Sequence, residues 1–273
     1  MKVKNNTLIQ ESESGPRYFI KSLNKGLIIL EAFARAAEPL SLQKISKNLG
    51  ISPTTMFRFL YTLEKIGYIE REEISKTYKL TPKVLALGHA IFHSSDLWQI
   101  THPYLVKTSK LLNETLNMAI LDGTDILYLD RIKTQKIIGI NLEIGSKLPV
   151  YCTSMGRVLL SGLSFEEAHD ILLKSKREKF TARTLTDIKT IEKLLQKTKK
   201  EDYALNDGEL APELKSIAAP IRSESGRIVA AVNIAVNASQ YDVSKMKDTL
   251  LPELRKITGT ISAALGYKGG NNE

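Results

Sequence analysis

The apolar positions of the first ninety residues recur at helical spacing in three stretches, each closed by its own punctuation. In residues 22–35, SLNKGLIILEAFAR, Leu23, Leu27, Leu30 and Phe33 fall on one predicted helix face, with Ser22 as N-cap and Pro39 closing the segment. Ser41 caps SLQKISKNL, in which Leu42, Ile45 and Leu49 share a face, and Gly50 follows where a C-cap needs a left-handed residue. Ser52-Pro53 is a cap followed by proline at the first helical position, and the helix it opens runs to Ile66 and stops at Gly67. Helix, glycine-containing turn, helix is the helix-turn-helix pattern.

On the third helix, Met56, Phe59, Leu60 and Leu63 form the stripe predicted to be buried. At about 100° per residue, Thr54, Arg58, Tyr61 and Lys65 lie opposite, with Thr55 and Thr62 on one flank and Phe57 on the other. A solvated face more often carries Glu, Lys and Gln; hydroxyls, an arginine and a tyrosine suit a helix that reads DNA. Ser52, Thr54, Thr55, Arg58, Tyr61, Thr62 and Lys65 are therefore the candidate DNA contacts on this helix. Tyr68-Ile69 and Thr77–Leu80 then predict two short strands around a polar turn at Glu73–Lys76, a wing that offers Lys76 and Lys79 to phosphates. Pro82 opens a further apolar helix through about His93.

Beyond it the period changes. Residues 96–117 read as a helix with Pro103 inside it, followed by strands around Met118–Leu121 and Ile126–Arg131 joined by Asp122-Gly123-Thr124-Asp125. Further strands fit Lys136–Leu142, Tyr203–Asn206, Ser216–Ile221 and Arg227–Val236, the last two joined at Ser225-Gly226. Helices fit Ser154–Leu163, Phe165–Ser175, Asp187–Lys200 and Val243–Leu265. Hairpin strands with helices between them predict an α+β domain with an antiparallel-leaning sheet.

Composition adds direction. The 273 residues carry a net charge of +9, and residues 1–94 hold 14 Lys and Arg against 8 Asp and Glu. Two thirds of the excess thus sits on about a third of the chain, which points to an anionic partner for the N-terminal part. No apolar run approaches the roughly 20 residues of a membrane span, and the first eighteen residues lack a signal-peptide core, so a cytoplasmic protein without membrane contact is expected. The single cysteine, Cys152, excludes an internal disulfide and any cysteine-based zinc site. His89 and His93 are four apart on a helix, but no third ligand accompanies them, so no metal is expected. Phosphate-binding glycine loops are absent and no cofactor is implied. Cys152 lacks a histidine nearby in sequence and reads as a small, half-buried residue beside a pocket. Lys193–Lys200 reads as a solvated face.

With these segments in hand, the chain resembles the IclR family of bacterial regulators. SLNKGLIILEAF, PLSLQKISKNLGISPTTMFRFLYTLEKIGYIE, YKLTPKVLALG, GSKLPVYCTSMGRVLL and GELAPELKSIAAPIR match in order from Ser22 to Leu265. INLEIGSKLPVYCTSMGRVLL is most similar to the subgroup controlling aromatic-acid catabolism, including the β-ketoadipate pathway and p-hydroxybenzoate degradation. Pro212-Glu213 stands where the family usually has a glycine. The resemblance implies an N-terminal winged helix-turn-helix domain at 21–81 after a disordered tail at 1–20, a linker helix at 82–95, a GAF-like α+β effector domain at 96–267 and a tail at 268–273.

It also implies a non-enzymatic regulator that binds a double-stranded DNA operator and a small organic acid, assembled as a homodimer or a dimer of dimers. By motif position, the effector pocket comprises Ile137, Ile140, Leu148, Ser154, Met155, Asn206, Leu214, Ser216, Asn233 and Ala235. The residues themselves leave the helix start at Thr153 or Ser154 open between plain capping and an anion site. Two other readings stay open: a small keto acid such as glyoxylate or pyruvate as effector, and an enzyme with an appended DNA-binding domain.

Overall fold

The computed structural model describes residues 18–36, 38–94, 96–134 and 142–269. The chain divides into two compact units, at Ser94/Ser95.

In the first unit, α1 (Lys21–Arg35), α2 (Leu42–Leu49) and α3 (Pro53–Lys65) enclose a core with β1 (Leu40–Ser41), β2 (Ile69–Arg71) and β3 (Thr77–Leu80), and α4 (Lys83–Ser94) follows. The caps sit where the sequence predicts them. Ser41 Oγ accepts from Lys44 N at 3.3 Å, Ser52 Oγ accepts from Thr55 N at 3.4 Å, and Gly50 and Gly67 take φ of 65° and 79°. Ile29, Phe33, Ile45, Met56, Leu60, Leu63, Ile69 and Tyr78 fill the centre.

The first helix departs from expectation. Leu23 and Leu27 are 60% and 52% exposed, because α1 buries Ile29 and Phe33 instead, and Ile20, not Ser22, is its N-cap. The wing also has a third strand. β1 is two residues long, too short for an alternation signal, and it pairs Leu40 with Tyr78 and Ser41 with Thr77.

The second unit is a six-stranded antiparallel sheet between helical layers. In order across the sheet the strands are β6 (Lys147–Pro149), β5 (Asp125–Ile132), β4 (Thr115–Asp122), β9 (Ile228–Asn237), β8 (Leu214–Arg222) and β7 (Ala204–Asp207). One layer holds α6 (Ser154–Ser161), α7 (Phe165–Lys174) and α8 (Ile188–Glu201); the other holds α5 (Asp96–Leu112) and α10 (Leu251–Ala264). Strand β9 reads IVAAVNIAVN, apolar nearly throughout, because both of its faces are covered. Val232, Ile234 and Val236 pack toward α10, while Ala231 packs on the α6 side, where Asn233 and Ala235 line a cavity.

Three expectations change here. The helix expected over 96–117 ends at Leu112, with Asn113 at φ 53°, and Thr115–Asn117 open strand β4. Pro103 is inside α5, as the sequence indicates. The helix expected over Val243–Leu265 is one rod in three parts: α9 (Val243–Lys245), a π-helical turn at Met246–Leu250, and α10. The strand expected at Lys136–Leu142 lies outside the described residues except for Leu142, which is buried but not in a strand. Strand β6 and the 3-10 turn Val150–Cys152 were not foreseen.

Candidate functional sites

In the first unit, α3 turns Met56, Leu60 and Leu63 inward and leaves Thr54, Arg58, Tyr61, Thr62 and Lys65 exposed, with Thr55 half-buried. Several members of this face are already engaged. Ser52 Oγ donates to Thr55 Oγ1 at 2.9 Å, so these hydroxyls serve the cap, and Thr62 Oγ1 donates to the Arg58 carbonyl at 2.9 Å. Lys65 Nζ sits 5.4 Å from the centre of the Tyr61 ring. In the wing, Lys79 Nζ pairs with Glu70 at 2.9 Å, and this hydrogen bond raises the lysine's pKa above its ordinary value. Lys76, in the left-handed region at φ 54°, carries its side chain into solvent.

In the second unit, strand register creates a polar floor. Residues paired across antiparallel strands share a face, so Arg131, Asn117, Asn233 and Ala218 form one row, and Asn206, Ser216 and Ala235 form the next. Arg131 Nη1 donates to Asn117 Oδ1 at 2.9 Å, and Asn117 Nδ2 donates to Asn233 Oδ1 at 2.7 Å. These rows floor a cavity walled by Tyr128, Leu142, Leu148, Thr153, Leu210 and Leu214. The volume open to water is about 20 Å³, room for one water molecule. Burial lowers the pKa of the Arg131 guanidinium, and its Nε has no hydrogen-bond partner. A half-buried cation lining a largely apolar chamber is suited to a carboxylate.

Of the residues the sequence assigns to the pocket, Leu148, Asn206, Leu214, Ser216, Asn233 and Ala235 line this cavity. Ser154 stands just outside it, sharing a 2.7 Å hydrogen bond with Ser216. Met155 does not line it. It is fully buried in the core of the α6 layer, because one step along a helix turns it roughly 100° away from Ser154. Ile137 and Ile140 lie outside the described residues. Thr153, one of the two residues at the helix start weighed as an anion site, lines it too, whereas sequence reasoning missed Asn117, Arg131, Tyr128, Leu142 and Leu210. A polar Asn117 in an otherwise apolar strand was the available signal, hidden by reading that stretch as helix.

At the start of α6, Thr153 is the cap: its Oγ1 accepts from Gly156 N at 3.1 Å. Four residues on, Arg157 is buried against Glu209, Nη2 to Oε2 at 2.5 Å, and its Nη1 donates to the Leu205 carbonyl at 2.7 Å. Glu209 N donates in turn to Asn206 Oδ1 at 3.3 Å, and Asn206 Nδ2 donates to the Cys152 carbonyl at 2.5 Å. The loop with Pro212-Glu213 keeps a tight turn, with Gly208 at φ 74° and its N–H donating to the Leu214 carbonyl at 3.0 Å. Cys152 is wholly buried, not half-buried at a pocket rim, and burial pushes its thiol up to about 12, which keeps it protonated and unreactive at neutral pH. His102 pairs with Asp130 and His169 with Glu192, and among the described residues no group of three potential ligands is placed to hold a metal ion. No described helix is long and apolar enough to cross a membrane.

Comparison with known proteins covers both units. Residues 22–73 match the IclR helix-turn-helix domain, and residues 89–263 match the bacterial transcriptional regulator IclR C-terminal domain. The chain is 36% identical over 242 residues to the Pca regulon regulatory protein of Pseudomonas putida, covering 88% of this chain and 82% of that one. A transcriptional regulator from Rhodococcus sp. RHA1 is 34% identical with a TM-score of 0.78, over 90% of this chain and 98% of its own. An IclR homologue from Microbacterium hydrocarbonoxydans, crystallised with 4-hydroxybenzoate, shares the fold at 23% identity and a TM-score of 0.77, over 89% of this chain and 98% of that one.

Proposed function

We propose, given that this chain belongs to the IclR family of bacterial transcriptional regulators, that its C-terminal domain responds to a small aromatic carboxylate. The protein is a transcription regulator with a helix-turn-helix DNA-binding domain and an effector domain, not an enzyme. The observation that carries the finer reading is Arg131, a half-buried cation among the residues that line a largely apolar cavity. The P. putida relative is named for the Pca regulon, and the Microbacterium homologue holds 4-hydroxybenzoate, which favours an aromatic acid over a keto acid for the same cavity. A cavity known to admit benzene measures roughly 150 Å³, whereas this one offers about 20 Å³ to water. An aromatic acid therefore enters only as the chamber widens, so that binding and a change of domain shape are one event.

Calorimetry with 4-hydroxybenzoate, protocatechuate, pyruvate and glyoxylate tests this. The aromatic acids are expected to bind and the keto acids not to. Arg131→Met removes a charged hydrogen bond, about 1.5–3 kcal/mol, and is expected to weaken the aromatic acid by roughly ten- to a hundredfold. Keto acids binding in place of aromatic ones, or an Arg131→Met variant with unchanged affinity, would overturn it.

On DNA, α3 is the recognition helix of this reading, with Thr54, Arg58 and Tyr61 toward base edges and Lys76 toward phosphate. Arg58→Ala is expected to cost operator binding about 1–3 kcal/mol while sparing non-specific binding. Lys76→Ala is expected to weaken all sequences alike and to reduce the salt slope by about one. Titrations of operator and random DNA at several salt concentrations separate the two patterns; equal losses on both DNAs for Arg58→Ala would remove it from base reading. A homodimer, or a dimer of dimers, completes the proposal. Leu23 and Leu27 on α1 and Leu85 and Leu87 on α4 are apolar and exposed in the described chain. A monomer in sedimentation at micromolar concentration would contradict it.

A further inference from the structure

Positive charge in the second unit is concentrated on one stretch. From the end of α7 at Lys174 to the end of α8 at Glu201 the chain holds ten Lys and Arg against four Asp and Glu, a net +6. Residues 95–273 together hold 25 against 22, so the remainder of the unit is left at −3. The basic excess of the molecule therefore has two seats, one in the DNA-binding unit and one here. Four of these cations, Lys189, Lys193, Lys197 and Lys200, are exposed on α8. At about 100° per residue they fall within roughly 80° of one another, opposite the buried Ile191, Leu195 and Thr198.

A solvated helix face usually alternates charge, so that residues four apart attract. Here Lys189, Lys193 and Lys197 stand four apart with like charge, an arrangement that works against the helix. Only one nearby acid meets them. Asp187 caps α8 through Thr190 N at 2.8 Å, Glu192 pairs with His169 at 2.6 Å, and Glu201 lies 3.8 Å from Lys197. Lys189, Lys193 and Lys200 form no ion pair among the described residues. Arg255 extends the row past the end of α8, its Nη2 donating to the Glu201 carbonyl at 2.7 Å.

From Lys189 to Lys200 the row is about 16 Å long, in steps of roughly 6 Å per four residues. A double helix presents a phosphate about every 3.4 Å along each strand, so every lysine of the row can meet one. A small anion would engage one or two of them and leave the rest repelling one another. Lysine is a point charge that selects no planar group, and α8 carries no aromatic ring on which an unpaired base could stack. We propose that the exposed lysine row of α8, which by sequence is a plain solvated face, is a second, sequence-independent DNA-binding surface that holds duplex phosphates in addition to those met by the helix-turn-helix. It presupposes a DNA-binding regulator, but neither the effector's identity nor base reading by Arg58.

A long fluorescent duplex of random sequence is the probe, titrated with the full-length protein over a range of salt concentrations. Lys193→Gln/Lys200→Gln changes two exposed positions to a residue of similar helix propensity. It is expected to lower the slope of log affinity against log salt by about 1.8, two phosphate contacts at about 0.9 each, and to weaken binding at least fivefold. The same drop is expected in an Arg58→Ala background, which separates this surface from the recognition helix. Lys193→Arg/Lys200→Arg is expected to bind within twofold of the wild type. Lys107→Gln/Lys110→Gln removes the same charge from exposed positions on α5 and is also expected to stay within twofold. An equal loss in the α5 variant would mean that net charge alone draws the duplex in, and would overturn the surface. Unchanged duplex binding in Lys193→Gln/Lys200→Gln would overturn it too, and lost binding of polyglutamate by that variant would give the face to an acidic protein instead.

Discussion

Replacing Arg157 with methionine is expected to lower the stability of the C-terminal domain by about 3–5 kcal/mol, the usual cost of stranding one member of a buried ion pair. Both side chains are nearly inaccessible, and Glu209 would be left facing the interior beside Cys152 without its cation. The Leu205 carbonyl would lose its donor as well. The loss is not simply the value of the pair. The double variant Arg157→Met/Glu209→Gln removes the stranded charge and is expected to recover part of the stability, which a double-mutant cycle would show as strong coupling. Denaturant unfolding followed on the C-terminal transition is the measurement, since two units unfold separately in general. A loss below about 1 kcal/mol for Arg157→Met would mean that the site relaxes and admits water.

Gly156→Ala is the second large effect, and two opposed terms meet in it. Alanine inside a helix normally gains about 1 kcal/mol over glycine. At Gly156, however, a Cβ would lie 2.2 Å from the Val150 carbonyl oxygen and 2.5 Å from Val150 Cα, both backbone atoms of the preceding 3-10 turn. Backbone cannot rotate out of the way as a side chain does, so α6 and the turn must separate. The expected result is a loss at or above the upper end of the roughly 1–3 kcal/mol that overpacking costs. Gly259 is the internal control: it sits on the exposed side of α10 with nothing within 4 Å of the added carbon. Gly259→Ala is expected to stabilise by about 0.5–1 kcal/mol. Thermal melts of the two variants should therefore move in opposite directions, and parallel shifts would contradict the packing described around α6.

What was legible in the sequence was local. Ser41, Gly50, Ser52-Pro53 and Gly67 mark helix ends by their own backbone chemistry, so α2 and α3 stand where the pattern puts them. The face of α3 follows from the 3.6-residue period alone. The exposure of Leu23 and Leu27 could not be read that way, since it depends on how much of α1 meets the rest of its unit. In the effector domain, Asn206, Ser216 and Asn233 came from motif position in the family resemblance. Their partners did not. Asn117 meets Asn233 across 116 positions of sequence, and Arg131 joins them only through the register of β4 with β5 and β9. Met155 was misplaced because motif position gives neighbourhood and not the direction of a side chain.

The sheet order also bears on the protein's birth. Strands β4, β5 and β6 form one half and β7, β8 and β9 the other, and the halves join only where β4 meets β9. The wing of the first unit is complete at Leu80, whereas β9 ends at Asn237, 157 residues later. At the roughly 5–20 residues per second of translation, that interval is about 8–30 s. During it, the helix-turn-helix and its wing have been synthesised while the central seam of the effector domain still lacks a strand. A nascent chain thus has its DNA-binding elements before the sheet of its effector domain can close.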